Sequence, residues 1–500
     1  MSVKKNIIAN YIGKALLTIL SIVFIPIYVK YLGIESYGLI GIYTILVSMM
    51  MLVDVGMGQT IVREVAKYSA NILTLEEITD TIKTFRYLYL FIGIVFAISV
   101  YLSSEFIVLH WLNVEQLVVS DVIISIQLIS VMLFVSWLSI LYRNSIIGLQ
   151  YQVWLNVSDV SFAVISKIGV ILVLAFISPT IIYFLMYQTI ISTLQLFFMI
   201  YKLNKILPNT SYKSKFSMTV IRRLWKFASG VAVTTIFGTL LSQADKFILS
   251  SMLSLSSFGL YTIASVVGRS LGTVISPLTL AIRPRLTILY ENNDEEKLID
   301  FYHKSAQLMS IVSIPMGVIL ILFSKDILWI WTNDIIMTEQ IYIIVSLLVS
   351  GTVLNGMMHV PYSLQLSAGW SSLSAKSNVI LFFITIPLLI ISIDNFGMIA
   401  APLVWVVVNL VYVLIIVSIM HKKLLIHEKW NWYRYDIFYI LIVSIFSGLV
   451  ARYFIEFNLD INKGVLLFEI FVSYTIVLLG AVLVASKYRD KFLNILKKGI

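Results

Sequence analysis

Apolar runs long enough to cross a lipid bilayer recur from one end of this 500-residue chain to the other. A membrane helix needs about 20 mostly apolar residues, and here 59% of residues are hydrophobic while 12% are charged. A soluble domain carries about twice that share of charge, because it must present polar groups to water. The chain is therefore predicted to be an all-α polytopic membrane protein with about 14 transmembrane helices, and without a sizeable domain outside the membrane.

The predicted spans follow one another closely. The first follows Lys4 and Lys5, exceeds a signal-peptide core and lacks a small-residue cleavage site, so it is expected to stay in the membrane. Asp394 and Asn395 before Gly397 form a turn signal that separates the eleventh span from the twelfth. The spans are residues 8–29, 37–56, 86–108, 118–141, 155–177, 180–201, 226–250, 257–282, 304–324, 338–362, 377–393, 396–420, 436–456 and 464–486.

Basic residues beside the spans predict the orientation, because arginine and lysine there resist translocation. With the N-terminus inside, 28 of the 36 basic residues fall in cytoplasmic segments, four in outer loops and four inside spans. Both termini are therefore predicted to be cytoplasmic, and the net charge of +10 serves orientation rather than binding to nucleic acid. Tyr28, Tyr31 and Tyr37 flank the first outer turn and are read as interfacial aromatic residues.

Short motifs recur at a nearly constant offset. Residues 36–39 (Ser-Tyr-Gly-Leu) return as 257–260 (Ser-Phe-Gly-Leu), and the glutamate pair 76–77 returns as 295–296. Because six spans separate the copies, both enter the membrane in the same sense, which predicts two parallel six-helix bundles facing a central cavity. A duplicated scaffold without transport is the alternative. The predicted domains are an N-terminal bundle, a C-terminal bundle, and two added helices with a basic cytoplasmic tail, at residues 1–205, 206–425 and 426–500.

The same segments carry a family likeness over essentially the whole chain. Residues 26–33 (PIYVKYLG), 36–38 (SYG), 243–249 (QADKFIL) and 258–261 (FGLY) resemble the polysaccharide-transporter flippases of the multidrug/oligosaccharidyl-lipid/polysaccharide exporter superfamily. The resemblance implies alternating access in the inner membrane. It also implies a cargo of undecaprenyl-diphosphate-linked oligosaccharide, moved from the cytoplasmic to the outer leaflet for O-antigen, capsule or other lipopolysaccharide and exopolysaccharide assembly. Membrane lipid, a polymerase and a chain-length regulator are the partners implied.

Lys167 and Arg269 are the first candidates for binding such a cargo. Both lie near the midplane of their predicted spans, where ionisable side chains are costly and therefore suggest function. A diphosphate needs cations, which lysine supplies as a point charge and arginine as a bidentate fork. We expect both residues to line a cationic cavity. An ion pair with a neighbouring helix is the structural alternative for each.

Further candidates lie nearer the ends of the spans. Lys14 and Lys246 are expected to add to the cavity, although Lys14 is close enough to the inner interface to reach it by snorkelling. Asp245 is a candidate proton or sodium site. His359 is read as a packing residue, and Asp159 as a carboxylate that stabilises the N-terminus of its helix. Three arginines at cytoplasmic span ends are expected to fix topology and to contact head groups at the inner mouth, namely Arg143, Arg283 and Arg285.

Other functions would require other sequence features. No catalytic cluster, nucleotide-binding loop or metal-ligand motif occurs, and zero cysteines exclude thiolate chemistry, so neither an enzyme nor a cofactor is expected. The first outer loop offers one carboxylate, Glu35. A multidrug/cation antiporter of the same superfamily would favour an acidic or aromatic cavity rather than central cations. A flippase for the lipid precursor of peptidoglycan would share the cationic cavity and remains an alternative.

Overall fold

The protein is described by a computed structural model whose backbone covers residues 3–54, 56–208, 212, 214–459 and 461–490. Side chains are described over the same ranges except at 3–9 and 223–235; the predicted basic tail at 491–500 lies outside the described residues. Helices account for the regular structure in these ranges, where the one β-type pairing is an isolated bridge between Asn113 and Ser254. The predicted all-α fold is confirmed.

The chain divides into two compact units, Met1–Thr262 and Ile263–Ile500. The helices of the first are α1 (Val3–Val23), α2 (Ile25–Leu32), α3 (Ile34–Asp54), α4 (Met57–Ser69), α5 (Leu75–Leu102), α6 (Ser104–Phe106), α7 (Val119–Gly148), α8 (Gln152–Phe176), α9 (Ile181–Ile206), α10 (Met218–Met252) and the start of α11 (Leu255–Gly268). A π-helical turn at Ile107–Trp111 follows α6.

The second unit begins within α11 and holds ten further helices. They are α12 (Leu271–Glu291), α13 (Glu295–Leu322), α14 (Ser324–Thr332), α15 (Ile335–Ser367), α16 (Ser371–Phe396), α17 (Ala400–Val411), α18 (Val417–Leu424), α19 (Lys429–Asn431), α20 (Tyr439–Phe454) and α21 (Lys463–Val484). Two π-helical turns, Tyr412–Ile416 and Trp432–Phe438, join α17 to α18 and α19 to α20. The repeat-based boundaries of the three predicted domains remain a prediction.

Eleven described helical runs are long and apolar enough to span a membrane, and the bent pair α11–α12 makes twelve. One run, Ser371–Leu424, has 54 residues, about 80 Å of helix and far more than a bilayer is thick. It contains the eleventh and twelfth predicted spans, which divide at a 3-10 turn where Gly397 has a φ of +52°, and α16 packs back on α17. Helix α10 contains the seventh predicted span. A multi-pass helical fold is confirmed, and the number fourteen remains a prediction.

One helix lies at the centre of each unit. Helix α7 packs against α3, α4, α5 and α9, and α13 packs against α12, α15, α20 and α21. The most apolar stretch of Glu295–Leu322 is 67% buried, whereas that of Gln152–Phe176 is 17% buried. A peripheral helix in lipid can expose apolar side chains on most of its surface, so sequence hydropathy does not separate the two cases.

The repeated glutamate pairs have a clear structural role. Glu76 and Glu77 lie in the first turn of α5, where Thr74 and Glu77 form a reciprocal capping box. Glu295 and Glu296 lie in the first turn of α13, whose amide at Lys297 is capped by Asp294. Acidic residues stabilise a helix N-terminus through the aligned backbone dipoles. Each glutamate pair therefore stabilises the start of a helix that contains most of a predicted span, 86–108 for α5 and 304–324 for α13.

Glu35 fixes the turn that precedes α7. Its buried carboxylate accepts hydrogen bonds from the backbone amides of Glu115 (2.6 Å), Gln116 (2.8 Å) and Leu117 (3.0 Å). Charge-assisted bonds of this kind are stronger than neutral ones. The carboxylate that sequence analysis found in the first outer loop therefore anchors a loop.

Candidate functional site

Lys167 lies near the middle of α8 with its ammonium group over an aromatic ring. Its Nζ atom is 5.3 Å from the centre of the Tyr28 ring, and Phe184 meets the same ring edge-on at 5.2 Å. The ion pairs found among the described side chains do not include Lys167. The half-buried ammonium is thus held by a cation–π contact, and no described carboxylate forms an ion pair with it.

Tyr28 corrects one prediction from the sequence. It was read as an interfacial residue together with Tyr31 and Tyr37, but Tyr28 is 2% and Tyr37 5% exposed. Position near a span end predicted the belt, whereas Tyr28 on α2 packs against Phe184 of α9 and Tyr37 is buried on α3. Tyr28 is therefore a core residue that positions Lys167. Proximity to a span end does not by itself show whether an aromatic side chain faces the membrane interface or the protein core.

Arg269 lies where its span breaks. Sequence analysis placed it inside a continuous helix at 257–282, but α11 ends at Gly268, α12 begins at Leu271, and the two axes differ by 41°. The hydroxyl of Thr352 on α15 donates a 3.1 Å hydrogen bond to the carbonyl of Gly268. A neighbouring helix that satisfies a freed carbonyl is what allows a break inside a membrane span.

An indole ring lies against the Arg269 side chain. The guanidinium carbon is 5.4 Å from the centre of the Trp405 ring on α17. Gly351 on α15 lies behind the indole so closely that any Cβ atom there would overlap Trp405. Trp405 was missed by sequence analysis. A tryptophan far from both ends of a predicted span was the available signal, because interfacial tryptophans lie at the ends.

The remaining cavity candidates have varied surroundings. Lys14 is exposed on α1, and Lys246 on α10 is half-buried. The Asp245 carboxylate is 8% exposed and accepts a short hydrogen bond from the Tyr261 hydroxyl on α11. A buried carboxylate with a phenol donor is compatible with the predicted ion site, and equally with a structural contact between α10 and α11.

Arg143 forms an ion pair that was not predicted from the sequence. Its two terminal nitrogens donate to both oxygens of Asp159 at 2.6 and 2.7 Å, and Gln195 donates to the same carboxylate at 3.0 Å. The reading of Asp159 as a helix N-terminal charge was wrong, because α8 begins at Gln152 and leaves Asp159 two turns inside. Arg143 ties α7 to α8 while its side chain stays 39% exposed.

Arg283 and Arg285 lie near the C-terminal end of α12. Arg283 is half-buried, and its Nε atom has no hydrogen-bond partner among the described residues. Arg285 is exposed. An arginine with a buried, unsatisfied donor can still accept an anionic ligand. Of the eight candidates, Lys14, Arg143, Lys167, Asp245 and Lys246 belong to the first unit, and Arg269, Arg283 and Arg285 to the second.

Sequence analysis also missed a buried acid–base cluster around His303 in the second unit, described below. Glu428 and Asp436 are 125 and 133 residues from His303 along the chain, so no local motif predicts the cluster. Within the described part of the chain, no group of three or more histidine, aspartate or glutamate side chains is arranged to hold a metal ion.

Comparison with known proteins places this geometry in context. The chain matches the protein-family model described as "Polysaccharide biosynthesis protein" over residues 3–290, and the MatE family model over residues 231–391. A Shigella flexneri protein named "Putative O-antigen transporter" is 24% identical over 409 residues, which are 81% of this chain and 94% of that protein.

Two solved structures share the fold. The lipid II flippase MurJ in an inward closed conformation has a TM-score of 0.70 and 17% identity, and the match covers 98% of this chain and 100% of that one. An inward-facing multidrug resistance MATE family transporter of the MOP superfamily has a TM-score of 0.65 and 12% identity, with 83% and 96% covered. At these identities the likeness shows the fold alone.

Proposed function

Because this chain belongs to the polysaccharide biosynthesis protein family, we propose that it is a flippase for undecaprenyl-diphosphate-linked oligosaccharide repeat units. It moves them from the cytoplasmic to the outer leaflet of the inner membrane by alternating access. The observation that carries this proposal is the relative named as an O-antigen transporter, 94% of which is covered by the match. Both termini are proposed to be cytoplasmic, and a polymerase and a chain-length regulator are the proposed downstream partners.

The charges inside the spans fit an anionic cargo. Lys167 lies within α8 and Arg269 at the break between α11 and α12, and each faces an aromatic ring. An aromatic ring stabilises a nearby cation, and lysine and arginine are the side chains that bind a diphosphate. An aromatic surface beside a cation also suits a sugar chain, whose apolar faces pack on rings. We propose that Lys167 and Arg269 each bind the anionic part of the cargo during transport.

A flippase for the peptidoglycan lipid precursor is the alternative with specific support. The MurJ match covers 98% of this chain, whereas the MATE match covers 83%. Central lysine and arginine side chains would repel a cationic drug, which favours a flippase over a cation antiporter. Both flippase cargoes carry a diphosphate, so the same cations serve either one.

Deletion of the gene separates these functions. The proposal expects polyprenyl-linked repeat units to accumulate on the cytoplasmic side, with surface polysaccharide lost and cell-wall growth unchanged. Accumulation of peptidoglycan precursor with lysis would support the alternative flippase. Drug hypersensitivity with normal surface polysaccharide would support the antiporter and contradict the proposal. Re-expression of the wild-type chain must restore the phenotype in every case.

A further inference from the structure

His303 on α13 faces a carboxylate with each of its ring nitrogens. Nδ1 lies 2.5 Å from Oδ2 of Asp436, and Nε2 lies 3.0 Å from Oε2 of Glu428. A carboxylate oxygen accepts a hydrogen bond from a ring nitrogen only when a proton lies between them. The two contacts therefore hold two protons among three titratable groups, the natural arrangement being an imidazolium between two carboxylates.

Polar groups from several elements complete this cluster. Gln307 donates to the second oxygen of Asp436 at 3.0 Å and to Ser486 at 3.1 Å, while Asn431 donates to Glu428 at 2.8 Å. The other titratable and charged groups around it come from α13, α18, α19, the π-helical turn and the C-terminal segment. They are Asp300, Tyr302, Lys304, His421, Lys429, Tyr433 and Lys487.

The cluster opens to water at one end. Asp436 is fully buried and His303 is 7% exposed, whereas the Glu428 side chain is 18% exposed and lies in the connection before α19. Burial raises the pKa of Glu428, but hydrogen bonds from Asn431 and His303 outweigh it and hold that pKa below its usual value. Glu428 is thus an ionised group that can pass a proton between His303 and solvent.

The cluster also joins parts of the second unit that lie far apart in sequence. Asp436 lies in the π-helical turn Trp432–Phe438, and such turns occur frequently at functional sites. His303 lies on α13, the central helix of the unit. A buried ionic cluster is weak support for stability, since an apolar contact of the same size serves as well or better. A perturbed buried cluster is instead a candidate for proton chemistry.

We propose that His303, Glu428 and Asp436 form a proton-binding site whose occupancy controls the contact between α13 and the segment 428–436, and so couples transport to proton movement. When the site empties, the Nε2 proton passes to Glu428 and then to water. The imidazole is left neutral, with a lone pair facing a carboxylate oxygen, and the Nε2 contact is lost. The coupling part of this proposal rests on the proposed transport function; the proton-linked contact does not.

Spin labels test the contact in the purified full-length protein, which has no native cysteine. Cysteines replace Lys304 on α13 and Ile426 before Glu428, both exposed, and the distance between the labels is measured from pH 5 to pH 9. The proposal expects one short distance at low pH and a growing longer population as pH rises. Glu428→Gln removes a charge that favours the imidazolium, so the transition moves to lower pH.

His303→Gln should abolish the pH dependence, and His359→Gln, at a half-buried histidine of the same unit, should retain it. A wild-type distance that does not change with pH, or an unchanged transition in His303→Gln, would overturn the proton site. In cells, His303→Gln is expected to lower surface polysaccharide several-fold with normal protein in the membrane. Equal export by the wild-type protein and the His303→Gln variant would overturn the coupling. Polysaccharide that survives gene deletion would refute the proposed transport function, while the spin-label result would still decide the proton site.

Discussion

Gly259 packs so closely on Gly38 that a Cβ atom built on Gly259 would lie 3.2 Å from the backbone nitrogen of Gly38 and would overlap the carbonyl oxygen of Ile34. A Cβ atom on Gly38 would in turn lie 2.5 Å from the carbonyl oxygen of Leu255. The two glycines are corresponding positions of the repeated Ser-Tyr/Phe-Gly-Leu motif. The repeat therefore meets its own copy where α3 crosses the start of α11, and each copy needs glycine because the backbones touch.

Gly259→Val should force α3 and α11 apart. Because the neighbouring atoms belong to the backbone, they cannot move as a flexible side chain would, and overpacking of this kind costs about 1–3 kcal/mol or more. We expect a lower melting temperature and less protein in the membrane. Gly272→Ala is the control, since nothing lies within 4 Å of a Cβ atom there. Equal thermal stability of the two variants would show that this close approach is not required.

Trp405 is expected to position Arg269 rather than to stabilise the fold in general. Trp405→Ala removes the ring 5.4 Å from the guanidinium carbon and should lower export several-fold. Gly351→Ala should act in the same direction, because its Cβ would overlap the indole and displace it. Surface polysaccharide is measured at matched protein levels. Trp405→Phe keeps a ring and should recover part of the export; no difference between Phe and Ala would argue against a cation–π role.

Asp159→Asn should weaken the link between α7 and α8. It removes the charge that Arg143 grips with two bonds. Loss of one partner of a buried ion pair costs about 3–5 kcal/mol, but the Arg143 side chain is 39% exposed. Solvent screening therefore reduces the expected loss to about 1–2 kcal/mol. Thermal unfolding in detergent measures it, and Arg143→Met/Asp159→Leu should recover stability that either single change loses.

Glu35→Gln should loosen the turn at residues 113–117. An amide group would replace one of the carboxylate oxygens and present a donor to a backbone donor, which costs about 1–3 kcal/mol. Limited proteolysis should then cut this turn faster. Glu105→Gln on the exposed helix α6 is a matched control. Cleavage at equal rates in both variants would contradict the anchoring role of Glu35.

The sequence predicted what depends on local pattern. Runs of apolar residues located the membrane helices, but α5 and α13 begin at Leu75 and Glu295, well before the predicted spans 86–108 and 304–324, because N-terminal caps extend each helix into polar sequence. The Arg143–Asp159 pair left a usable signal, since opposite charges flank a single short turn between α7 and α8. By contrast, Tyr28 meets Lys167 and His303 meets Asp436 only through tertiary packing, over separations of 139 and 133 residues. The pattern of hydropathy along the chain does not predict such contacts.

Lys167 and Arg269 are proposed to bind the negatively charged diphosphate of a lipid-linked cargo. The most direct measurement is the amount of oligosaccharide repeat unit that reaches the outer leaflet in cells expressing Lys167→Ala/Arg269→Ala, at matched protein in the membrane. Lys376→Ala, at an exposed lysine in the second turn of α16, is the control. We expect the double variant to retain repeat units on the cytoplasmic side, whereas the control should export them normally. Normal export by a stably inserted double variant would contradict the proposed binding.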